Sequence, residues 1–453
     1  MSHRSNRTVA LTTLGCKVNQ ADSDEWLRQF GARGYEVVDF DSVADAYVVN
    51  TCTVTHVADR KSRQLLRHAR RQNPAGLVVA TGCYASVSPD ELARMVEVDL
   101  IVGDKDKPRL VDLVHQALEG EEEQPLEAMA GALRVFGPRH RAFVKVSDGC
   151  DKFCAFCIVP YARGRTRSSA PDDVIQRIQT LVSAGFREVV LTAVHMGNYG
   201  DDLTPSTTLR ALIRRVLDET AVERLRISSI EPEDFDDQLL TLWTDRRLCR
   251  HFHLALDSGC DATLRRMRRR YLSADYRRLL ERVREVVPDV AITTDVMVGF
   301  PGETDEEYAI SRAFVAARRF AMIHVFPYSS RRRTTASKLP NQVDPETRRR
   351  RTDDMLAIAS ESTRQFRQGF VDRVVSVLFE GSSRAADGQT VWEGLTDNYL
   401  RIRVTGDARL TNAIVDVYVE SVAEDGLVGH VIGEIPRVPP ASIIPLTLTS
   451  VSR

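Results

Sequence analysis

Cysteine is scarce in this chain. Eight residues in 453 are too few for a disulfide scaffold, and cysteines that cluster without one point to metal binding or redox chemistry. Long hydrophobic runs are missing too. None approaches the ~20 residues a membrane-spanning helix needs. The opening stretch "MSHRSNRTVALTTLGC" lacks the apolar region and small-residue cleavage site of a signal peptide, so a cytoplasmic protein is expected. A dominant charge is absent as well, with 62 Lys+Arg against 63 Asp+Glu. That balance hides a local one. Asp261 to Arg351 holds 20 basic against 12 acidic residues, and Val371 to Gly433 holds 5 against 10. The basic middle suits a polyanion such as nucleic acid; the acidic end does not. The chain also lacks a repeated domain. Its length exceeds one hydrophobic core and predicts two to four domains.

What is present first is alternation. "TVALTT" (Thr8 to Thr13), "AYVVNT" (Ala46 to Thr51) and "LVVATG" (Leu77 to Gly82) read as short strands, with helical patterns such as Asp59 to Arg71 between them. This predicts a parallel, doubly wound sheet. The acidic, low-complexity stretch from Glu119 to Ala132 reads as a linker. A second alternation predicts six strands at Phe143–Val146, Val189–Ala193, Leu225–Ser229, His253–Leu256, Ile292–Val298 and Ile323–Phe326. Six strands with helical crossovers fit an incomplete (β/α) barrel, with its chemistry at the carboxyl ends of the strands. After Arg373 short strands and turns predict a small all-β barrel or sandwich.

Six of the eight cysteines fall into two sets. Cys16, Cys52 and Cys83 each follow one of the first three predicted strands. In an open α/β sheet those ends line one crevice. A single such cysteine would read as a buried small apolar residue; three at equivalent positions predict a shared site. Gly15 and Gly82 allow tight turns there. Cys150, Cys154 and Cys157 lie in one short stretch, "GCDKFCAFCIVP". Three thiolates are one ligand short of a closed tetrahedral site. Zinc would need a fourth ligand, for which His140 is the candidate. An iron–sulfur cluster with one cysteine-free iron, open to a small chelating molecule, fits the spacing better.

The CxxxCxxC spacing, with Phe156 before the last cysteine, resembles the radical S-adenosylmethionine (SAM) signature. "TLGCKVNQ", "VVNTC", "ATGC", "FCAFCIVPYARGRTRS", "LTAVHMGNYG", "SSIEP", "DSGCDATLRRMRRRY", "TDVMVGFPGETDEEY" and "HVFPYS" narrow the likeness to the methylthiotransferases, from about Thr8 to Gly433. The resemblance implies an α/β fold class with three domains. These are an N-terminal parallel α/β cluster domain (1–118), a central partial (β/α)6 radical SAM barrel (141–368) and a C-terminal small all-β TRAM-like domain (369–434). An acidic linker (119–140) and a C-terminal tail (435–453) complete the chain. "GCKVNQ" and "PYARGRTRS" resemble the members acting on N6-threonylcarbamoyladenosine of tRNA. The alternatives are isopentenyladenosine tRNA and an aspartate of a ribosomal protein, the latter suggested by the acidic C-terminal segment. Outside the class stand an iron–sulfur electron carrier and an RNA-binding module.

The family likeness further implies two 4Fe-4S clusters, held by Cys16, Cys52 and Cys83 and by Cys150, Cys154 and Cys157, with SAM as cofactor. Phe156, Gly299, Pro301, Gly302 and Glu303 are the expected SAM contacts. "GFPGE" also reads as a plain strand-to-helix turn capped by Thr304 or Asp305. Arg163, Arg165 and Arg167 are candidates for gripping phosphates or a substrate carboxylate, and "LRRMRRRY" for a basic face against RNA. His195 reads as a packed loop residue, Cys249 and Cys260 as structural. Implied partners are a tRNA anticodon stem-loop, a flavodoxin- or ferredoxin-type electron donor and a sulfur donor, with no membrane, for a monomer. Two departures from the family pattern stand out: Asp257, where Gln is usual, and "SRRRTTAS" after "HVFPYS".

Overall fold

Short β-branched runs bounded by turns make the first sheet. The strands are β1 (Thr8–Thr13), β2 (Glu36–Val38), β3 (Ala46–Thr51), β4 (Leu77–Gly82) and β5 (Leu100–Val102). In the computed structural model, which describes residues 7–119, 140–235, 237–385, 388–407 and 409–433, they pair in the order β2-β1-β3-β4-β5, every pair parallel. The period-2 alternation sends Val9, Val48 and Val79 to one face, against Trp26, Phe30 and Leu110. Tyr47, Val49 and Val78 go to the other, against Leu66 and Ala69. The strand order reverses between β1 and β3, which is where open α/β sheets bind ligands. The edge strands β2 and β5, three residues each, are too short to announce themselves in the sequence.

The second unit follows from β6 (Arg141–Asp148), β7 (Arg167–Ser168), β8 (Glu188–Ala193), β9 (Arg224–Ile227), β10 (Ser229–Ile230), β11 (His251–Leu254), β12 (Ala291–Val298) and β13 (Met322–Pro327). They form two four-stranded sheets, β7-β6-β8-β9 and β10-β11-β12-β13. Only Ser228 separates β9 from β10, so one run of chain joins the sheets. No ladder among the described residues closes β13 back onto β6, and the barrel is partial, as expected. Outward residues such as Val144, Leu191, Leu225, Phe252 and Ile292 pack under the helices in the largest core. Inward residues are polar: Lys145, Arg226, His251, His253, Thr293, Asp295 and His324 alternate with that core along their strands. The helix Lys17–Ala32 of the first unit lies against β6 and β8.

A 24-residue helix, Pro345–Gln368, leads to β14 (Val374–Arg384), β15 (Thr390–Thr396), β16 (Arg401–Thr405), β17 (Ile414–Ala423) and β18 (Gly426–Val431). These close into a barrel in the order β14-β15-β16-β18-β17. Four of the five follow the sequence expectation. β15, with Gly394 in its interior, carries no sequence signal strong enough to mark it. The acidity of this segment has in part a structural cause, which weakens the argument for a basic protein partner. Glu380 pairs with Arg141 at 2.5 Å and Asp397 with Arg250 at 2.6 Å, while Arg224 and Arg226 donate to the carbonyls of Leu395 and Asp397 at 3.0 and 2.8 Å. Two of the ten acids, Glu380 and Asp397, answer an arginine collar at the amino end of the large barrel. Arg226 and Glu188 are fully buried and paired at 2.7 Å, a geometry in which each charge depends on its partner. The expected linker 119–140 lies, apart from its two ends, outside the described residues, as does the tail 435–453.

Candidate active site

Each cysteine of the first set stands where a parallel strand stops. Cys16 precedes the helix Lys17–Ala32, Cys52 follows β3, and Cys83 opens the helix Cys83–Val87 directly after β4. Because β1, β3 and β4 are neighbours, residues far apart in sequence arrive at one edge. Gly15 and Gly82 have φ of +99° and +92°, and a Cβ on Gly15 would stand 3.0 Å from the Cys52 Sγ. Only glycine lets the two loops approach this closely. The backbone of Cys52 is pinned from behind, its carbonyl accepting from the Ser62 hydroxyl at 3.1 Å.

The second set sits on one loop after β6. The loop is strung between remote segments: the Ala155 N–H donates to the Met267 carbonyl at 2.9 Å, and the Ala336 N–H to the Ala155 carbonyl at 2.7 Å. Phe156 meets Phe300 edge-on at 6.4 Å. All six cysteines are free thiols. Burial pushes Cys52 and Cys154 up to about 11 and raises Cys83, Cys150 and Cys157 as well. Buried thiols this reluctant to ionise become ligands when a metal supplies positive charge.

The donor sets fit clusters better than zinc. A tetrahedral zinc with Zn–S of about 2.3 Å holds its sulfurs roughly 3.8 Å apart. Among the described residues neither cysteine set converges within 4.8 Å; the group that does is His253, Asp295 and His324. His140 is no fourth ligand. It is buried at the start of β6, beside Glu380 of the terminal barrel, and Cys150 lies at the other end of that eight-residue strand. Each set offers three thiols with one position open, the donor count a cubane with a cysteine-free iron requires.

The segment that carries the second set reaches the first. Arg163, in the short helix Val159–Arg163 just after the second set, is 1% exposed. Its Nε donates to the Cys83 Sγ at 3.4 Å and its Nη1 to Asp148 at 2.6 Å. Its Nη2 reaches Asn19 and lies 3.4 Å from Asp22. One guanidinium thus ties the end of β6 to the strand-end cysteines.

Two sequence families cover this architecture: the uncharacterized protein family UPF0004 over residues 8–103 and the radical SAM superfamily over residues 144–314. The threonylcarbamoyladenosine tRNA methylthiotransferase MtaB of Bacillus subtilis is 37% identical over 90% of this chain and 93% of its own. The enzyme of that name from Aquifex aeolicus is 36% identical, over 88% and 97%. The chain belongs to the radical SAM methylthiotransferases. The tRNA-2-methylthio-N(6)-dimethylallyladenosine synthase of Syntrophotalea carbinolica, 34% identical over 91% and 96%, shows that relatives of other specificity lie near. Among solved structures, the radical SAM methyltransferase TsrM of Kitasatospora setae shares the fold, at a TM-score of 0.54 and 18% identity over 74% of this chain and 77% of that one. As a methylthiotransferase of this superfamily the chain uses SAM and two 4Fe-4S clusters.

Within this methylthiotransferase several residues lie elsewhere than the sequence suggests. Arg163 is not free for phosphate or carboxylate, since every nitrogen of its guanidinium has a partner inside the protein. Arg165 and Arg167 do face solvent, 84% and 54% exposed, with Asp151 and Asp104 as partners. The Glu303 carboxylate is spent within the fold. It accepts from the Gly299 N–H at 2.7 Å and pairs with Arg351 at 2.7 Å. A Cβ on Gly299 would fall 2.2 Å from the Arg348 Cγ, so this glycine serves packing of the loop on the long helix. Thr304 caps the following helix in a reciprocal box with Glu307. Two arginines of the basic run are used internally, Arg266 pairing with Glu307 and Arg269 donating to the Cys154 Sγ at 3.4 Å, while Arg265, Arg268 and Arg270 are exposed. Arg269 also pairs with Asp257 at 2.6 Å and Glu231 at 3.0 Å, which gives the unusual Asp257 its structural role. Arg331, in the other departure, is buried and pairs with Asp59 at 2.5 Å, clamping the loop after β13 to the helix behind Cys52. His195 is packed against Asp234 at 2.7 Å, as expected. Sequence reasoning missed Arg269, Asp295 and the lumen histidines. The signal was there, in the polar residues that alternate along "HFHL", "TTDV" and "IHVF".

Proposed function

We propose that this chain inserts sulfur at C2 of N6-threonylcarbamoyladenosine at position 37 of tRNA and methylates it. Cys150, Cys154 and Cys157 hold the cluster that binds SAM, and Cys16, Cys52 and Cys83 hold the second. The observation that carries the reading is Arg163, which joins Cys83 of the first set to Asp148 beside the second, in a chain whose 37% and 36% identical relatives bear that enzyme's name. Bound there, SAM and its cluster supply the radical chemistry that breaks an aromatic C–H bond, which no side-chain acid or base accomplishes.

The chain's own residues orient and exclude. Arg269 places an N–H on Cys154 and Arg163 one on Cys83; such donors tune the charge a thiolate ligand carries. Phe156 and the turn Gly299 to Gly302, seated together through Phe300, would line the site for SAM. Arg165 and Arg167 stand at the mouth, where weakly held surface partners exchange readily for RNA phosphates. A flavodoxin- or ferredoxin-type donor and a separate sulfur donor complete the reaction. No helix among the described residues is long and apolar enough to cross a membrane, and the enzyme works as a cytoplasmic monomer built of units 1–118, 141–368 and 369–434.

The deciding experiment is mass analysis of tRNA nucleosides from a strain lacking the gene. Loss of 2-methylthio-N6-threonylcarbamoyladenosine, with the unmethylthiolated nucleoside accumulating, is expected. Its persistence, or loss of the methylthio-isopentenyl nucleoside instead, overturns the reading.

A further inference from the structure

Most cations around the barrel lumen have a carboxylate. Arg226 holds Glu188 at 2.7 Å, Arg141 holds Glu380 at 2.5 Å, and Lys145 holds Asp148 at 3.0 Å. Lys17 is different. It follows Cys16 directly, and its side chain enters the lumen, where the ammonium stands 5.6 Å from the Tyr399 ring centroid. Among the described residues it has neither a hydrogen-bond acceptor nor a carboxylate within 4.0 Å. It is only partly exposed, and an ammonium withdrawn from water without acceptors is costly.

The surroundings explain why such a residue is kept. Tyr399, at the tip of the β15–β16 turn with φ of +70°, floors the lumen and stacks on His251 at 4.8 Å. Lys17 is close enough to His251 and His324 to bear on the charge of both. His324 lies opposite Asp295 in the β12–β13 register, and Asp295 lies 3.4 Å from the His253 Nε2. His253 is held from its other side by Thr293 at 2.9 Å. The lumen thus holds one cation with a ring face but no carboxylate partner, beside the strand-end cysteines, and one carboxylate flanked by imidazoles.

We infer that Lys17 binds the carboxylate of the threonylcarbamoyl group and that this contact selects the anionic substrate over an apolar one. The inference rests on the substrate reading above. Threonylcarbamoyl carries a carboxylate, a hydroxyl and ureido N–H groups; the dimethylallyl group named for the relatives has none of these. Lys17 meets the carboxylate as a point charge, and Asp295 accepts from the hydroxyl or N–H end, fixing the group's direction. A neutral apolar substituent leaves Lys17 without an anion and offers Asp295 no donor, and sites that reject by unpaired polar groups discriminate strongly. Lys17 touches the substituent rather than the reacting carbon, so it is a specificity residue.

The test uses the full chain with its clusters, held anaerobically, and fluorescence anisotropy at fixed salt. Three anticodon stem-loops differ only at adenosine 37: unmodified, threonylcarbamoyl, and threonylcarbamoyl methyl ester. The wild type is expected to bind the acid at least about tenfold more tightly than the other two. Lys17→Met is expected to lose that preference while holding the unmodified stem-loop within about twofold, and Lys17→Arg to keep part of it. The inference is overturned if Lys17→Met retains the preference, if it weakens all three RNAs equally as a phosphate contact would, or if the ester binds the wild type as well as the acid. A wild type indifferent to the threonylcarbamoyl group overturns the substrate reading itself. Iron and sulfide content confirm that the Cys16 set survives in the variants; should it not, the ester arm decides on wild-type protein.

Discussion

Cys150, Cys154 and Cys157 sit on one loop within eight residues, whereas Cys16, Cys52 and Cys83 are delivered by the ends of three strands across 68 residues of chain. The loop set carries its ligand spacing in the covalent chain and borrows its shape from Met267 and Ala336. The strand-end set owes its existence to the register of β1, β3 and β4 and to the core beneath them. The same number of thiols is therefore secured once by local geometry and once by tertiary packing, and the two should fail in different ways.

The largest effect separates the sets outright. Cys154→Ala leaves a two-thiol loop and is expected to abolish 5′-deoxyadenosine formation from SAM; deoxyadenosine at the wild-type level would remove this loop from the mechanism. Cys52→Ala should leave SAM cleavage in place and end sulfur insertion, read by mass analysis of the product RNA, with about half the iron remaining. Full methylthiolation by that variant would dissolve the distinction between the sets.

Arg163→Met attacks the link instead of either end. It removes the 2.6 Å partner of Asp148, which keeps Lys145 at 3.0 Å, at a cost of about 2–3 kcal/mol in denaturant unfolding. Burial alone would push the Asp148 carboxyl up, yet Arg163 and Lys145 hold it well below its usual range. A depressed folded value stabilises above the unfolded value of about 3.9 and is lost as pH falls below it. The wild type should lose stability steeply there, and Arg163→Met less so; identical acid profiles would count against the link. The smallest effect sharpens the strand-end side alone. Thr55 caps the helix His56–Gln72 behind Cys52, accepting from the Ala58 N–H at 3.2 Å. Thr55→Ala should cost about 1 kcal/mol in thermal unfolding and loosen the Cys52 set, leaving SAM cleavage per loop cluster unchanged.

Much of this was legible beforehand. The alternation of strand and helix, the six barrel strands and the positions of both cysteine sets follow from periodicity and spacing, because these are properties of neighbouring residues. The arginines were not legible. Arg163 and Arg269 look like surface charge in "YARGRTRS" and "LRRMRRRY", yet both are buried against cysteine sulfur. The acidity after Val371 looked like an outward-facing surface and is in part the counterpart of an arginine collar.

By itself, then, the sequence determined most of the elements, short edges such as β2 and β5 and the strand β15 apart, and where six thiols fall along them. The fold decided which charges meet. An arginine's partner lies up to hundreds of residues away, as Glu380 does from Arg141. Whether a charge is solvated, paired or, like Lys17, left waiting for an anion is settled only when remote segments pack and water is excluded between them.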